Sequence, residues 1–419
     1  MPSMYKRMLR RMYYRLWKLP QLSFFHYRRI RRISRSKHAQ VVFLVTNLPM
    51  WRGDGLLQLL IKDQRFCCHV IAYPISNYTP EETCRNQEVL FRHFEDIDVD
   101  YVDATNKDGM KKALELADQA DLIFYPQPYG NMYGNRFDNK YHRRQLLCYI
   151  PYSFFIFTDQ WTANTALHNQ AWRIFAESEF HRCEAQRIAH NRGANVVVVG
   201  DPFADLFLHP VNKEVWKPQE KAKKRLIWAP HFSVLPNMPL HRNSFLWLCD
   251  VMLDIAGQYK DVLQIAFKPH PRLRSVLSSM PEWGQERTDQ YFNKWAEISN
   301  GQYESGEYID LFLQSDAMIH DCGAFTVEYL FTGKPVMFAT EDIQSEMEML
   351  NGIGREAIAQ YYIGTTRDDV IRFIEQVVLQ GNDSKQEGRQ SFVDRHLTPP
   401  NHKTVAQNMY DNLVESLQL

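Results

Sequence analysis

The chain has 419 residues, 45% of them hydrophobic and 23% charged, enough for two or three packed domains and unlike a disordered or fibrous protein. Its net charge of zero hides an asymmetry: residues 1–37 hold 12 Lys or Arg and no acid, while the rest sets 37 basic residues against 49 acidic ones. No run reaches the roughly 18 apolar residues of a membrane-spanning helix, and no apolar signal core follows the basic start.

In that basic start, Met4, Tyr5, Met8, Leu9, Met12, Tyr13, Leu16 and Trp17 recur at i, i+4 spacing. They predict an amphipathic helix ending near Pro20, with a second basic piece over residues 28–35 behind Phe24 and Phe25. A basic helix rich in aromatics suits an anionic membrane surface. A solvated arm is the plainer alternative, and nucleic acid is not the expected partner.

Residues 41–46 (VVFLVT) read as a buried parallel strand, and Gly53-Asp54-Gly55 as a turn into a helix over 56–62. Strands over 69–73, 99–102 and 121–125 alternate with helices over 82–94 and 109–117, which predicts a Rossmann-like half. A loop rich in Tyr, Gly, Asn and Pro covers 126–136. The segment from Cys148 to Tyr152 leads into a further apolar strand that ends near Asp159. Strands over 171–177 and 195–199 flank a helix, and Gly200-Asp201-Pro202 stops the set.

A linker is expected over 206–224. A second alternating set starts with RLIWAP at 225–230, and a strand over 262–268 ends at Lys268-Pro269-His270-Pro271. The resulting division is an arm over 1–37, a first domain over 38–205, a linker, a second domain over 225–395 and a C-terminal helix over 396–419.

The densest information lies at 315–338, SDAMIHDCGAFTVEYLFTGKPVMF, which reads as strand, turn, helix, turn, strand. The small residues Cys322, Gly323 and Ala324 let a phosphate approach the backbone N–H groups at the helix start, through Phe325. Asp321 suits a helix cap or a partner for a histidine. Glu328, one turn on, suits ribose hydroxyls, and Gly333 closes the helix.

Two prolines fix His270 at a strand end, beside the cations Lys268 and Arg272, where it can steady or protonate a leaving phosphate. His231, after Trp228-Ala229-Pro230, is a similar strand-end histidine. Tyr149, Tyr152 and Asp159 are the candidates on the acceptor side, Asp159 as the proton acceptor. Seven scattered cysteines with no CxxC suggest reduced thiols in the cytoplasm. The histidines show no HxxxH spacing, so no metal is expected.

With these motifs in view, residues of about 170–400 resemble the CDP-glycerol glycerophosphotransferase family of teichoic-acid-type polymerases and primases. The resemblance rests on Lys268-Pro269-His270-Pro271, the stretch from Ser315 to Phe325, Lys334-Pro335-Val336-Met337-Phe338, Gly200-Asp201-Pro202-Phe203-Ala204-Asp205 and Trp228-Ala229-Pro230-His231. It implies the GT-B architecture, α/β with two Rossmann-like domains facing a cleft. It also implies transfer of glycerol phosphate or a related polyol phosphate from a CDP-activated donor to a hydroxyl of a lipid-linked or glycan acceptor, with no cofactor, at the inner face of the cell membrane. The family's N-domain His-Gly is replaced by Tyr149-Ile150-Pro151-Tyr152-Ser153, and its Tyr-Ser-Ser turn by Cys322-Gly323-Ala324. A GT-B glycosyltransferase of capsule synthesis and a non-catalytic scaffold are the alternatives.

Overall fold

The computed structural model describes residues 4–76, 78–132, 137, 142–158, 163–208, 213–236, 238, 244–306 and 308–419. The chain divides into two units. The first comprises Met1–Phe155, Asp159–Asp205 and Leu397–Leu419, and the second Ile156–Thr158 and Leu206–His396.

The first unit holds β1 (Ala39–Val45), β2 (Phe66–Ala72), β3 (Tyr101–Asp103), β4 (Leu122–Tyr125), β5 (Leu146–Tyr149), β6 (Arg173–Ala176) and β7 (Val196–Val198). They form one parallel sheet in the order β3-β2-β1-β4-β5-β6-β7. The second holds β8 (Lys224–Ala229), β9 (Leu263–Phe267), β10 (Gly301–Tyr303), β11 (Ala317–His320), β12 (Val336–Ala339) and β13 (Tyr362–Gly364). Their order is β10-β9-β8-β11-β12-β13, again parallel. Helices cover both faces of such sheets, which is why β4, β11 and β12 are buried at every position. Each order reverses once, at β1/β4 and at β8/β11, and ligands of open α/β sheets bind outside the carboxyl ends of the strands at such points.

An aromatic cluster supports the second sheet below that edge. Trp228 stands 5.0 Å from Phe267 and 5.7 Å from Trp295, ring centre to ring centre. Three expectations fail locally. The apolar strand of the 146–158 region ends with Cys148-Tyr149 rather than following them, and the prolyl segment beyond is irregular. The arm does not break at Pro20. An α-helix Met4–Tyr13 passes through a π-helical turn Tyr14–Lys18 into an α-helix Leu19–Ser36. Leu19 N–H reaches back to Tyr14 O, and Pro20 falls in the first turn after it, where its missing donor matters least. The helix after Cys322-Gly323-Ala324 is only the single turn Phe325–Glu328, continued by a 3₁₀ turn Tyr329–Thr332. Gly333 ends it in the left-handed conformation, φ 68°, as its position predicts.

The arm lies against the first unit. Arg29 and Arg32 both pair with the fully buried Asp121, which also accepts the Gln40 N–H, and Arg29 Nε donates to Arg144 O. Asp121, Gln40 and Arg144 all lie at the amino ends of strands, so the arm runs beneath the sheet's amino edge.

The C-terminal helix Val405–Leu417 also belongs to the first unit. Asp205 accepts the N–H groups of Val405 and Ala406 at 2.8 and 2.9 Å, placing a carboxylate on the positive end of that helix. Gly200, at φ 102°, passes so close to Pro399 and Val405 that a side chain would collide with them. Asp205→Ala leaves both donors and the helix end unanswered. It is expected to cost about 1–2 kcal/mol in urea unfolding of the whole chain; an unchanged midpoint would refute the anchoring role.

Candidate functional site

The carboxyl ends of β8, β9 and β11 bring most of the expected residues together. Pro230-His231 leaves β8, Lys268-Pro269-His270 leaves β9 and Asp321-Cys322 leaves β11. Asp321 is buried and accepts the His231 N–H at 2.6 Å and the Ser244 hydroxyl at 2.5 Å. It therefore spans the β8/β11 reversal. The helix start has Ala324 as its cap, with no side-chain bond, so the expected capping role of Asp321 is corrected: its carboxylate ties two strand-end loops instead.

His270 is held by its own backbone N–H, which donates to Pro230 O at 2.9 Å. The Arg272 N–H donates to its Nδ1 at 3.2 Å, which puts the ring proton of the neutral form on Nε2. Its ring stands 5.1 Å from that of His231 and 4.4 Å from that of Phe232. The Arg272 guanidinium lies 4.3 Å over the other partner of this group, Phe232. Burial, with Arg272 and Lys268 adding to it, pulls the His270 pKa down to about 4. The Lys268 ammonium is pulled below its usual range by burial, and donates to Gly306 O at 2.8 Å.

Beside these cations, the N–H groups of Gly323, Ala324 and Phe325 donate to no acceptor among the described residues. Three adjacent donors at a turn make an anion-binding concavity. The turn is braced from behind. The Cys322 N–H donates to His320 Nδ1 at 3.1 Å, His320 Nε2 meets the Tyr361 hydroxyl at 3.2 Å, and that hydroxyl donates to Thr326 O at 2.7 Å. Phe325 packs on Tyr308 and Phe312. Glu328 is buried and accepts the Tyr308 hydroxyl at 2.9 Å.

On the first unit the expected residues are less accessible. Tyr149 is fully buried, its ring 5.3 Å from His168, and offers no surface to an acceptor. Tyr152 is half-buried, its hydroxyl 3.3 Å from that of Tyr129. Asp159 lies outside the described residues. Sequence reasoning missed Ser244, Tyr308 and Tyr361, whose partners are 20 to 77 residues away along the chain. It also missed Thr46 and Gln127, which meet at 3.3 Å across the β1/β4 reversal. Their signal was a polar residue closing an apolar strand.

Comparison with known proteins identifies the family and the fold. The family model of CDP-glycerol:poly(glycerophosphate) glycerophosphotransferase matches residues 160–415. No curated protein matches the chain. Among solved structures, the wall teichoic acid polymerase TagF is similar at a TM-score of 0.57 and 13% identity, over 99% of this chain and 97% of that one. S. aureus MnaA with UDP gives 0.57 at 11% identity, over 91% and 97%. The UDP-GlcNAc 2-epimerase of Neisseria meningitidis bound to UDP-GlcNAc gives 0.55 at 13%, over 90% and 99%. At these identities the structures establish the GT-B-type fold of two parallel-sheet α/β domains.

The depressed His270 pKa has a consequence for stability. Above pH 6.5 the residue is neutral folded and unfolded and contributes nothing to the pH dependence. As pH falls from 6.5 towards about 4, the unfolded chain takes a proton that the folded site refuses, so the native state loses stability. His270→Gln removes this loss. Urea midpoints of wild type and variant should therefore diverge in the variant's favour between pH 6.5 and 4 and run parallel above it; parallel curves throughout would sink the assignment.

Proposed function

Because this chain belongs to the CDP-glycerol:poly(glycerophosphate) glycerophosphotransferase family, we propose that its second unit holds the CDP-activated donor at the β8/β9/β11 edge. The protein is a transferase of the CDP-glycerol glycerophosphotransferase type, moving glycerol phosphate or a related polyol phosphate to a hydroxyl acceptor in the synthesis of a teichoic-acid-like polymer. The observation that carries the donor site is the convergence of Lys268, His270 and Arg272 with three N–H groups that have no partner among the described residues, at the sheet's reversal.

In this reading an acceptor oxygen bonds to the phosphorus of the glycerol phosphate while the anhydride P–O bond breaks and CMP leaves. The N–H groups of Gly323, Ala324 and Phe325 hold phosphate oxygens, and Lys268 and Arg272 offset the charge that builds on the leaving group. The His270 Nε2–H hydrogen-bonds a leaving-group oxygen, and CMP leaves as the phosphate anion. Bound phosphate would raise the pKa that burial has lowered. His231 supports His270, Glu328 with Tyr308 is the candidate for the ribose hydroxyls, and Asp159 is the candidate to take the acceptor's proton. Positioning and charge supply most of the rate.

The acceptor is proposed to be a lipid-linked or glycan chain, reached from the inner face of the cell membrane. The arm supports this: Met8, Leu9, Met12, Leu16, Trp17, Phe24 and Tyr27 are exposed, Trp17 by 72%, on helices that also carry its cations. Large exposed apolar side chains among basic ones fit an anionic bilayer surface.

Isothermal titration against CDP-glycerol, with CMP, UDP and UDP-glucose as comparators, tests the donor. CDP-glycerol should bind preferentially, and His270→Ala should lower transfer about 10²–10³-fold. Preference for a UDP species would replace this reading with a glycosyltransferase. For the arm, full-length protein should sediment with vesicles containing anionic phosphatidylglycerol and not with neutral phosphatidylcholine ones. Leu16→Glu with Trp17→Glu should abolish this; sedimentation that survives both changes would exclude the arm.

A further inference from the structure

The arm has two faces, and the π-helical turn Tyr14–Lys18 sets how they run along it. One face holds the first unit. In the first half, Arg11 donates to Arg187 O at 2.5 Å and the Tyr14 ring lies 5.4 Å from that of His190. In the second half, Leu22 and Ile33 are buried and Arg29 pairs with Asp121. The other face is exposed, with Met8, Met12 and Leu16 in the first half and Phe24 and Tyr27 in the second.

Rotation along the helix shows what the turn does. Tyr27 follows Met8, and Ile33 follows Tyr14, by 19 residues. In an unbroken α-helix the members of each pair would stand about 100° apart. The bond from Leu19 N–H to Tyr14 O spans one residue more than an α-helical bond. That extra residue takes up about 100° of rotation, which returns each pair to one side of the arm. The burial agrees: Tyr27 is 61% exposed beside an exposed Met8, while Ile33 is fully buried on the side of Tyr14.

The face so aligned is long and basic. From Met8 to Tyr27 it runs for about 28 Å. Arg28 and Arg31 are exposed in its second half, and the Arg28 guanidinium lies 5.6 Å over the Phe24 ring. Residues 1–37 contain no acid, so two copies of the face would set like charges against each other. An apolar surface of negative charge is its complement, which is what an anionic bilayer offers.

We propose that the π-turn is a phasing device. It rotates the second half of the arm by one residue, so that a single face from Met8 to Tyr27 lies flat on an anionic bilayer while the opposite face stays docked on the first unit. The inference rests on the membrane reading of the arm and adds what makes its two halves act together.

Sedimentation of the full chain with phosphatidylglycerol-containing vesicles tests it. Deleting Arg15 removes the extra residue and leaves an ordinary α-turn with both faces in phase. Binding should then stay within about twofold of that of Arg15→Gln, which loses the same charge. One alanine inserted between Arg15 and Leu16 swings the halves about 100° apart and should lower binding about tenfold. In the uninterrupted arm, Met12→Glu and Phe24→Glu should each lower binding about tenfold, because both halves touch the bilayer. Hydrogen exchange should show residues 19–36 equally protected in every variant, which separates lost binding from an undocked arm. If the insertion binds as well as wild type, if the deletion fails as the insertion does, or if Phe24→Glu binds normally, the phasing is refuted while the membrane reading stands on Met12→Glu. If wild type binds no vesicles, the membrane reading falls and the phasing with it. Self-association of wild type that Leu16→Glu abolishes would assign the face to a second copy and overturn the bilayer as its occupant.

Discussion

The buried carboxylate of Asp321 is the constraint on which the candidate donor site depends. A parallel sheet delivers its strand ends to one edge, but nothing in strand pairing fixes the loops that leave that edge. Asp321 fixes two of them by accepting from a backbone N–H after β8 and from the hydroxyl of Ser244 on the next helix. Charge-assisted bonds in a water-poor place are strong, and a partner removed there leaves a buried charge unanswered. The position of His231, and through it the ring cluster of His231, Phe232 and His270, follows from that one side chain.

A second network of different character braces the proposed phosphate turn. His320, Tyr361 and the carbonyl of Thr326 form a relay of neutral hydrogen bonds inside the protein, and it orients the backbone of a turn whose own side chains are small. The substitution of Cys322-Gly323-Ala324 for a hydroxyl-rich turn is compatible with this design, because the donors offered to an anion are amides and not side chains. The short helix that follows contributes little dipole, so in the proposed reading Lys268 and Arg272 would carry more of the charge stabilisation than a long helix would leave to them.

Much of this was legible in the chain. The alternation of apolar runs with helical spacing gave both sheets, and the strand-end motifs at His231, His270 and Asp321 converge as their positions at carboxyl ends require. Gly333 was readable because only a left-handed residue closes such a turn cheaply. The role of Asp321 was not, because its partners lie 90 and 77 residues away and local sequence offers only the cap. The continuity of the arm through Pro20 was hidden by the rule that proline breaks helices, which a π-turn circumvents. Tyr149 was read as facing the acceptor because it lies at a strand end, yet its neighbours fill the core around it.

The docking of the arm sets a clearance. The arginines that hold it grip the amino edge of the first sheet, whereas ligand-binding loops sit at the carboxyl edge. The seven residues of β1 alone separate these edges by about 23 Å. If the arm rests on a bilayer, as proposed, that surface would lie one sheet-height from the loops at the carboxyl edge. The docking of the arm would then act as a spacer, holding those loops clear of the headgroups by the thickness of the sheet.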